Sequence, residues 1–166
     1  MDQVPLRAGM KVADCGFGVG EHALLLTQRL GEEGAVYAFE IKPNNVEALA
    51  RTKARENIEN LFPMHVNLNE PLPLKDAMLN LALLSNTLPA VRERATLLSE
   101  LKRVLVANGL VFFVDWAHSF NNMGPRDEDV IYPGDAVRLF ESFGFSVGNM
   151  LPAGTHHYAF IARKAA

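Results

Sequence analysis

The sequence predicts an α/β fold: a doubly wound sheet of seven strands, mostly parallel, with an antiparallel last strand. Three observations predict it. Short apolar runs alternate with helical stretches along most of the 166 residues, the pattern of βαβ units joined by right-handed crossovers. Met78–Ser85 (MLNLALLS) is one continuous apolar run, as a central parallel strand buried on both faces requires. The last two strand-like runs are separated by Pro152-Ala153-Gly154, short enough for an antiparallel hairpin.

Each element follows from its own pattern. Lys11–Asp14 (KVAD) reads as a short buried strand, and Glu21–Leu30 as a helix with leucines at helical spacing, stopped by Gly31. Ala35–Glu40 (AVYAFE) is β-branched and aromatic, hence a strand. Asn44–Asn57 is a helix with Val46, Leu49, Ala50 and Lys53 on one stripe. Leu61–Val66 is a weaker third strand, and Met78–Ser85 the fourth. Ala90–Val106 is the longest helix, ended by Asn108-Gly109. Leu110–Asp115 (LVFFVD) is the fifth strand, and Asp135–Phe143 a helix ended by Gly144. Phe145–Met150 and His157–Arg163 complete the set. The long irregular segment is Trp116–Pro133, and loops of that length in compact domains are usually functional.

Composition narrows the function. Hydrophobic residues are 49% and charged residues 21%, values of a globular domain and not of a disordered chain. Sixteen basic residues against nineteen acidic ones give a net charge of −3, which argues against a surface built to neutralise phosphates. Cys15 is the single cysteine, so neither an internal disulfide nor a cysteine-based zinc cluster can form. The start, MDQVPLRAGM, has no apolar signal core, and no stretch reaches membrane-spanning length. One domain over residues 1–166, in the cytoplasm, is the expectation.

The chemistry is carried by the first strand-to-helix turn, Asp14-Cys15-Gly16-Phe17-Gly18-Val19-Gly20-Glu21. Glycines supply positive φ and let a ligand approach the main chain, and the following helix offers free N–H groups to an anion. The dinucleotide fingerprint G-x-G-x-x-G would need glycine at position 21, where Glu21 stands. No Gly-Lys-Ser/Thr follows, so the phosphate-loop pattern fails too. Glu40 closes the second strand 24 residues beyond Gly16, near the spacing of a ribose-binding acid. Its two carboxylate oxygens can accept both ribose hydroxyl protons. Asp14 either orients a ligand's amino group or serves as a turn-forming residue.

These motifs resemble the class I S-adenosylmethionine-dependent methyltransferases, over nearly the whole chain, and the resemblance implies a Rossmann-like fold. Asp14–Gly20, including Gly16, Phe17, Gly18 and Gly20, is similar to that family's first motif. Glu40, with Ile41 beside it, stands where the family holds the cofactor ribose, and Asn67-Leu68 where it contacts adenine. Ser85-Asn86 is similar to the position facing the methyl donor. The run LLSELKRVLVANGLVFFVDW, with Trp116, Met123-Gly124-Pro125, Phe143-Gly144-Phe145 and His157-Tyr158, resembles small members related to ubiquinone/menaquinone-biosynthesis methyltransferases. The implied cofactor is S-adenosylmethionine, its product S-adenosylhomocysteine.

Two departures stand out. Asn67 replaces the family's usual aspartate, which predicts modest cofactor affinity and tighter binding on Asn67→Asp. The first strand begins about ten residues in, where relatives place capping helices, so the site is open or is closed by the Trp116–Pro133 segment or by a second copy in a homodimer.

Methyl transfer from a sulfonium needs alignment and exclusion of water more than covalent help. The predicted topology brings Asn86, Trp116, His118, His156 and His157 around one mouth. Asn86, Trp116, His118 and His157 are the candidate acceptor contacts, and His157 is the candidate base. Trp116 either stacks on a planar acceptor or anchors the loop. Asp127-Glu128-Asp129 reads as a solvated run and not a metal site, and Asn86 in place of an acid argues against a magnesium-dependent catechol-type site. Asn86-Thr87-Leu88-Pro89 lacks the ring needed to stack a flipped base, and Cys15 is committed to the turn. A small molecule or a protein side chain remains as acceptor. The competing reading is a protein that binds S-adenosylmethionine or S-adenosylhomocysteine without catalysis, or only with a partner.

Overall fold

The computed structural model describes residues 3–120 and 123–165. The chain runs β1 (Lys11–Cys15), α1 (Glu21–Leu30), β2 (Ala35–Glu40), α2 (Pro43–Glu56), β3 (Leu61–His65), β4 (Leu79–Ser85), α3 (Arg94–Val104), β5 (Leu105–Trp116), α4 (Pro133–Ser142), β6 (Phe145–Val147) and β7 (His157–Lys164). Short 3₁₀ turns lie at Leu88–Ala90 and Asp127–Asp129. The seven strands form one sheet in the order β3-β2-β1-β4-β5-β7-β6. β7 pairs antiparallel with both β5 and β6, and the pairings from β3 to β5 are parallel. This is the predicted Rossmann-like α/β sheet.

Two apolar layers hold the sheet between its helices. On one face Leu97, Leu98 and Leu101 of α3 and Phe140 of α4 pack on Leu84, Phe113 and Phe160. Phe113 is the hub, with ring centroids 4.9 Å from Phe160, 5.3 Å from Phe140 and 5.7 Å from Tyr158. On the other, Leu26 and Leu30 of α1 and Leu49 of α2 pack on Val12, Val36, Leu81 and Phe112. β4 lies between β1 and β5 and is buried almost throughout, which is why its sequence is apolar at consecutive positions. Val4, in the segment before β1, joins the second layer.

Three local expectations are corrected. The helix predicted over Ala90–Val106 is a 3₁₀ turn started by Pro89, an extended Val91, and then α3 from Arg94. Asn108-Gly109 does not stop that helix. α3 ends at Val104, and Asn108, at φ 60°, serves a bulge inside β5, where the register jumps from Leu79↔Leu105 to Leu81↔Leu110. Both uses exploit the tolerance of Asn for the left-handed region, so the dipeptide alone did not distinguish them. The tight hairpin at Pro152-Ala153-Gly154 is instead the middle of a longer connection, residues 148–156, because β6 stops at Val147. Leu151 still bridges to Ala159, and Gln3 Nε2 donates to Pro152 O at 2.7 Å.

The chain moves outward from β1 to β3 and then returns to β4 on the far side of β1. That reversal is the topological switch point, and ligands of open α/β sheets bind beyond the carboxyl ends of the strands there.

Candidate functional site

The turn after β1 sits at this switch point. Gly16, Gly18 and Gly20 all adopt positive φ (79°, 60° and 92°). The N–H groups of Gly16 and Phe17 both donate to Phe39 O, at 2.8 and 3.0 Å, folding the turn against β2. A Cβ on Gly16 would stand 2.8 Å from Thr87 Oγ1, and one on Gly20 2.8 Å from Leu49 Cδ1. A Cβ on Gly18 would meet nothing within 4 Å, so its bare surface faces open space. Gly20 also precedes α1 with no side-chain cap on the helix, leaving first-turn N–H groups free.

Glu40 locks this turn. Its Oε2 accepts from Gly18 N–H at 2.9 Å and its Oε1 from Lys42 N–H at 3.0 Å. The side chain is buried, at 7% exposure, which disfavours an idle strand-end carboxylate. Each oxygen keeps further acceptor capacity, since a carboxylate has about four lone-pair sites.

A cleft of about 310 Å³ runs from this turn toward β4. The predicted Gly16, Gly18, Glu40, Ile41, Asn67, Leu68 and Asn86 line it, joined by Lys42, Asn45, Val66, Asn69, Thr87, Ala90 and Val91, which sequence reading missed. Phe17 is in the second apolar layer, so its side chain serves the core. Ser85 lines a neighbouring pocket. A larger groove of about 620 Å³ lies between the carboxyl ends of α1 and α2, where Glu32, Glu56 and Glu59 face it. It contains none of the turn residues.

Asp14 is buried beneath the turn at 1% exposure, and its Oδ2 has no hydrogen-bond partner. Burial, reinforced by the charge of Glu40, pushes its pKa up to about 7. Asn67 is held in a local turn: its Nδ2 donates to Glu70 Oε1 at 2.8 Å, and its Oδ1 accepts from Asn69 Nδ2 at 2.8 Å.

Asn86 is the junction. It adopts φ 54°, its N–H donates to Val114 O at 2.9 Å, and it lines the cleft and two further pockets. Non-glycine residues in this conformation cost energy and concentrate at functional sites. Thr87 ties the loop after β4 to the glycine turn, its Oγ1 donating to Cys15 O at 2.8 Å. Asp115 supports the same loop from below. Its Oδ1 accepts from Trp116 N–H at 2.8 Å, and burial pushes its pKa up to about 6 against the N–H groups of Trp116 and Leu88 and the charge of Arg94.

The predicted mouth divides in two. Asn86, Pro89, Trp116 and Pro125 line a pocket of about 320 Å³. Asn86, Ser85, His157 and His22 line another of about 280 Å³ on the opposite side. Trp116 stands at their boundary, 4.2 Å from the His157 ring centroid. A Cβ on Gly124 would lie 2.6 Å from the indole, so the loop main chain is pressed onto that ring and Trp116 anchors it. His118 is exposed, with Nε2 3.1 Å from His156 Nδ1. His156 stacks on Phe120 at 4.0 Å. His157 Nε2 is sealed from solvent with no partner, and burial, with His156 and His118 nearby, holds its pKa below the ordinary 6.5. In the acidic run, Glu128 and Asp129 pair with Arg126 at 2.6 and 2.9 Å. Among the described residues no helix is long and apolar enough to cross a membrane.

Residues 13–113 match the methyltransferase domain family. A 60-residue stretch is 38% identical to a protein-L-isoaspartate O-methyltransferase of Methanothrix thermoacetophila, spanning 36% of this chain and 29% of that relative. A SAM-dependent methyltransferase from Aquifex aeolicus superposes with a TM-score of 0.87 at 26% identity, over 95% of this chain and 84% of the other. The [4+2]-cyclase SpnF shares the fold at a TM-score of 0.85 and 14% identity, over 99% of this chain and 77% of its own. With more than half its length matched and the glycine turn, Glu40 and Asn86 gathered on one cleft, this chain belongs to the methyltransferase domain family.

Proposed function

We propose that this chain transfers a methyl group from S-adenosylmethionine to a small molecule or protein side chain, chiefly by alignment and desolvation. The observation that carries this reading is the left-handed glycine turn whose Gly18 N–H is held on a buried Glu40 carboxylate, in a cleft that ends at Asn86. The residues fit the cofactor. Gly18 presents bare main chain, Glu40 retains acceptor capacity for two ribose hydroxyls, and the orphaned Asp14 Oδ2 is a buried acceptor suited to an ammonium group. Leu68 and Asn67 would flank the adenine, and Ser85 and Asn86 the methyl end.

When bound, the cofactor supplies a methyl group on a sulfonium, whose carbon–sulfur bond breaks as the acceptor's lone pair forms the new bond. The chain's part is positional. Asn86 separates the cleft from both acceptor pockets, and Trp116 holds the loop after β5 against the mouth. His157 is the proposed base. With Nε2 sealed, it would act through Nδ1 and would stay unprotonated at neutral pH. Titration calorimetry with S-adenosylhomocysteine tests the cofactor site, and methyl-labelled cofactor with fractionated small molecules and proteins tests transfer. No binding overturns the proposal.

A second reading has a specific observation behind it: a cyclase shares this fold, and fold alone does not give chemistry. Cofactor binding with no label transferred to any fraction would favour a binding protein.

A further inference from the structure

We infer that the uncovered sheet face over β2 and β3 receives an amphipathic helix of a partner protein, apolar on one stripe and acidic along its flanks. The inference stands apart from methyl transfer, because the groove on this face shares no lining residue with the cofactor cleft.

The face is uncovered because one crossover lacks its helix. α1 and α2 pack on one side of the sheet, and α3 and α4 pack on the other over β4, β5 and β7. A helix between β3 and β4 would complete that second side, since parallel strands are ordinarily joined through one and their sheets are covered on both faces. Residues 66–78 run without a helix. Tyr37 and Met64 are left half-buried, and Phe62, stacked on Tyr37 at 5.3 Å between centroids, is 40% exposed. A groove of about 400 Å³ results, with Tyr37, Met64, Leu74 and Met78 as its apolar lining and Lys11 and Lys75 as its charged groups.

The groove is preformed. Arg103 Nη2 donates to Leu72 O at 3.0 Å and Nη1 to Leu74 O at 2.9 Å, which fixes the wall formed by the β3–β4 connection. A fixed wall spares a partner the entropy of ordering it.

Charge selects the partner. Lys11 and Lys75 are exposed, and neither forms an ion pair among the described residues. Lys53 Nζ adds a third cation, 5.1 Å over the Phe62 ring. No Asp or Glu is among the described residues that line the groove, so local positive charge stands unopposed in a chain of net charge −3. Acidic side chains flanking an apolar stripe complement both features. Pro63, in the middle of edge strand β3, has no N–H to offer an added strand. That favours a helix laid on the face over a strand paired to the edge. The net charge disfavours a nucleic acid on the same lysines.

The test is fluorescence anisotropy with the full chain and three labelled peptides of about fifteen residues, long enough to form a helix on binding. The first carries leucine at i, i+3, i+4 and i+7 spacing with glutamate and alanine between. The second has lysine for glutamate, and the third serine for leucine. The first should bind saturably and the other two at least tenfold more weakly. The double variant Lys11→Glu, Lys75→Glu, with its melting temperature checked, should weaken the first peptide by about tenfold. High salt should weaken it in the same direction. No saturable binding of the first peptide, equal binding of all three, or binding that the double variant leaves unchanged would overturn the inference. So would binding of phosphatidylglycerol vesicles or single-stranded RNA through these lysines in place of the peptide.

Discussion

Gly18 and Gly20 do different work in one turn, and single substitutions should separate them. Gly20→Ala forces a left-handed alanine, at about 1–2 kcal/mol, and drives its Cβ into Leu49. It should lower the melting temperature by several degrees, read by differential scanning fluorimetry. Gly18→Ala carries the backbone strain without a clash, so its larger effect should be about tenfold weaker S-adenosylhomocysteine binding, with a methyl placed on the cleft wall. Glu40→Gln sets an amide N–H₂ against one of two N–H donors, Gly18 or Lys42. That leaves a donor unpaired at about 1–3 kcal/mol and should weaken the same binding at least tenfold by calorimetry.

The elements around the cleft are tied by side chains whose partners are distant in sequence. Thr87 reaches Cys15 O across 72 positions, and Thr87→Val should destabilise the fold by about 1–3 kcal/mol through an unsatisfied buried carbonyl, measured by urea unfolding. Asn67 shows how an element alters a residue's meaning. Sequence alone predicts that Asn67→Asp tightens cofactor binding. In the folded turn Asn67 Nδ2 donates to Glu70 Oε1, so aspartate would face a second carboxylate and lose that bond. The expected outcome is weaker binding and a looser β3–β4 connection, and tighter binding by calorimetry would show that the adenine contact outweighs the turn.

At the scale of the whole molecule, buried acids set the pH dependence of stability. Asp14 titrates at about 7 in the fold against an ordinary 3.8, and Asp115 at about 6. A raised folded pKa means the native state holds the proton more tightly. The associated stability is complete below pH 4 and is lost as pH rises to about 7. His157 has the opposite sign, since its depressed pKa makes acid below 6.5 destabilising. Asp14→Asn should flatten the decline between pH 5 and pH 8 and leave the variant more stable at pH 8, by an amount on the order of 1–4 kcal/mol, in urea titrations at the two values.

The sequence by itself determined the sheet, its helices and the glycine turn, because hydrophobic period and positive-φ requirements are local properties. It also placed Glu40 at the end of β2, where spacing alone carries it to the switch point. Tertiary structure decided what local pattern cannot encode: that Asn108-Gly109 shapes a bulge within β5, and that Trp116 is pinned under Gly124. It decided too that His157 has one nitrogen sealed and that Asn86 joins three cavities. Each of these depends on residues brought together from separate strands and loops, and such contacts exist only once the sheet has closed around its two apolar layers.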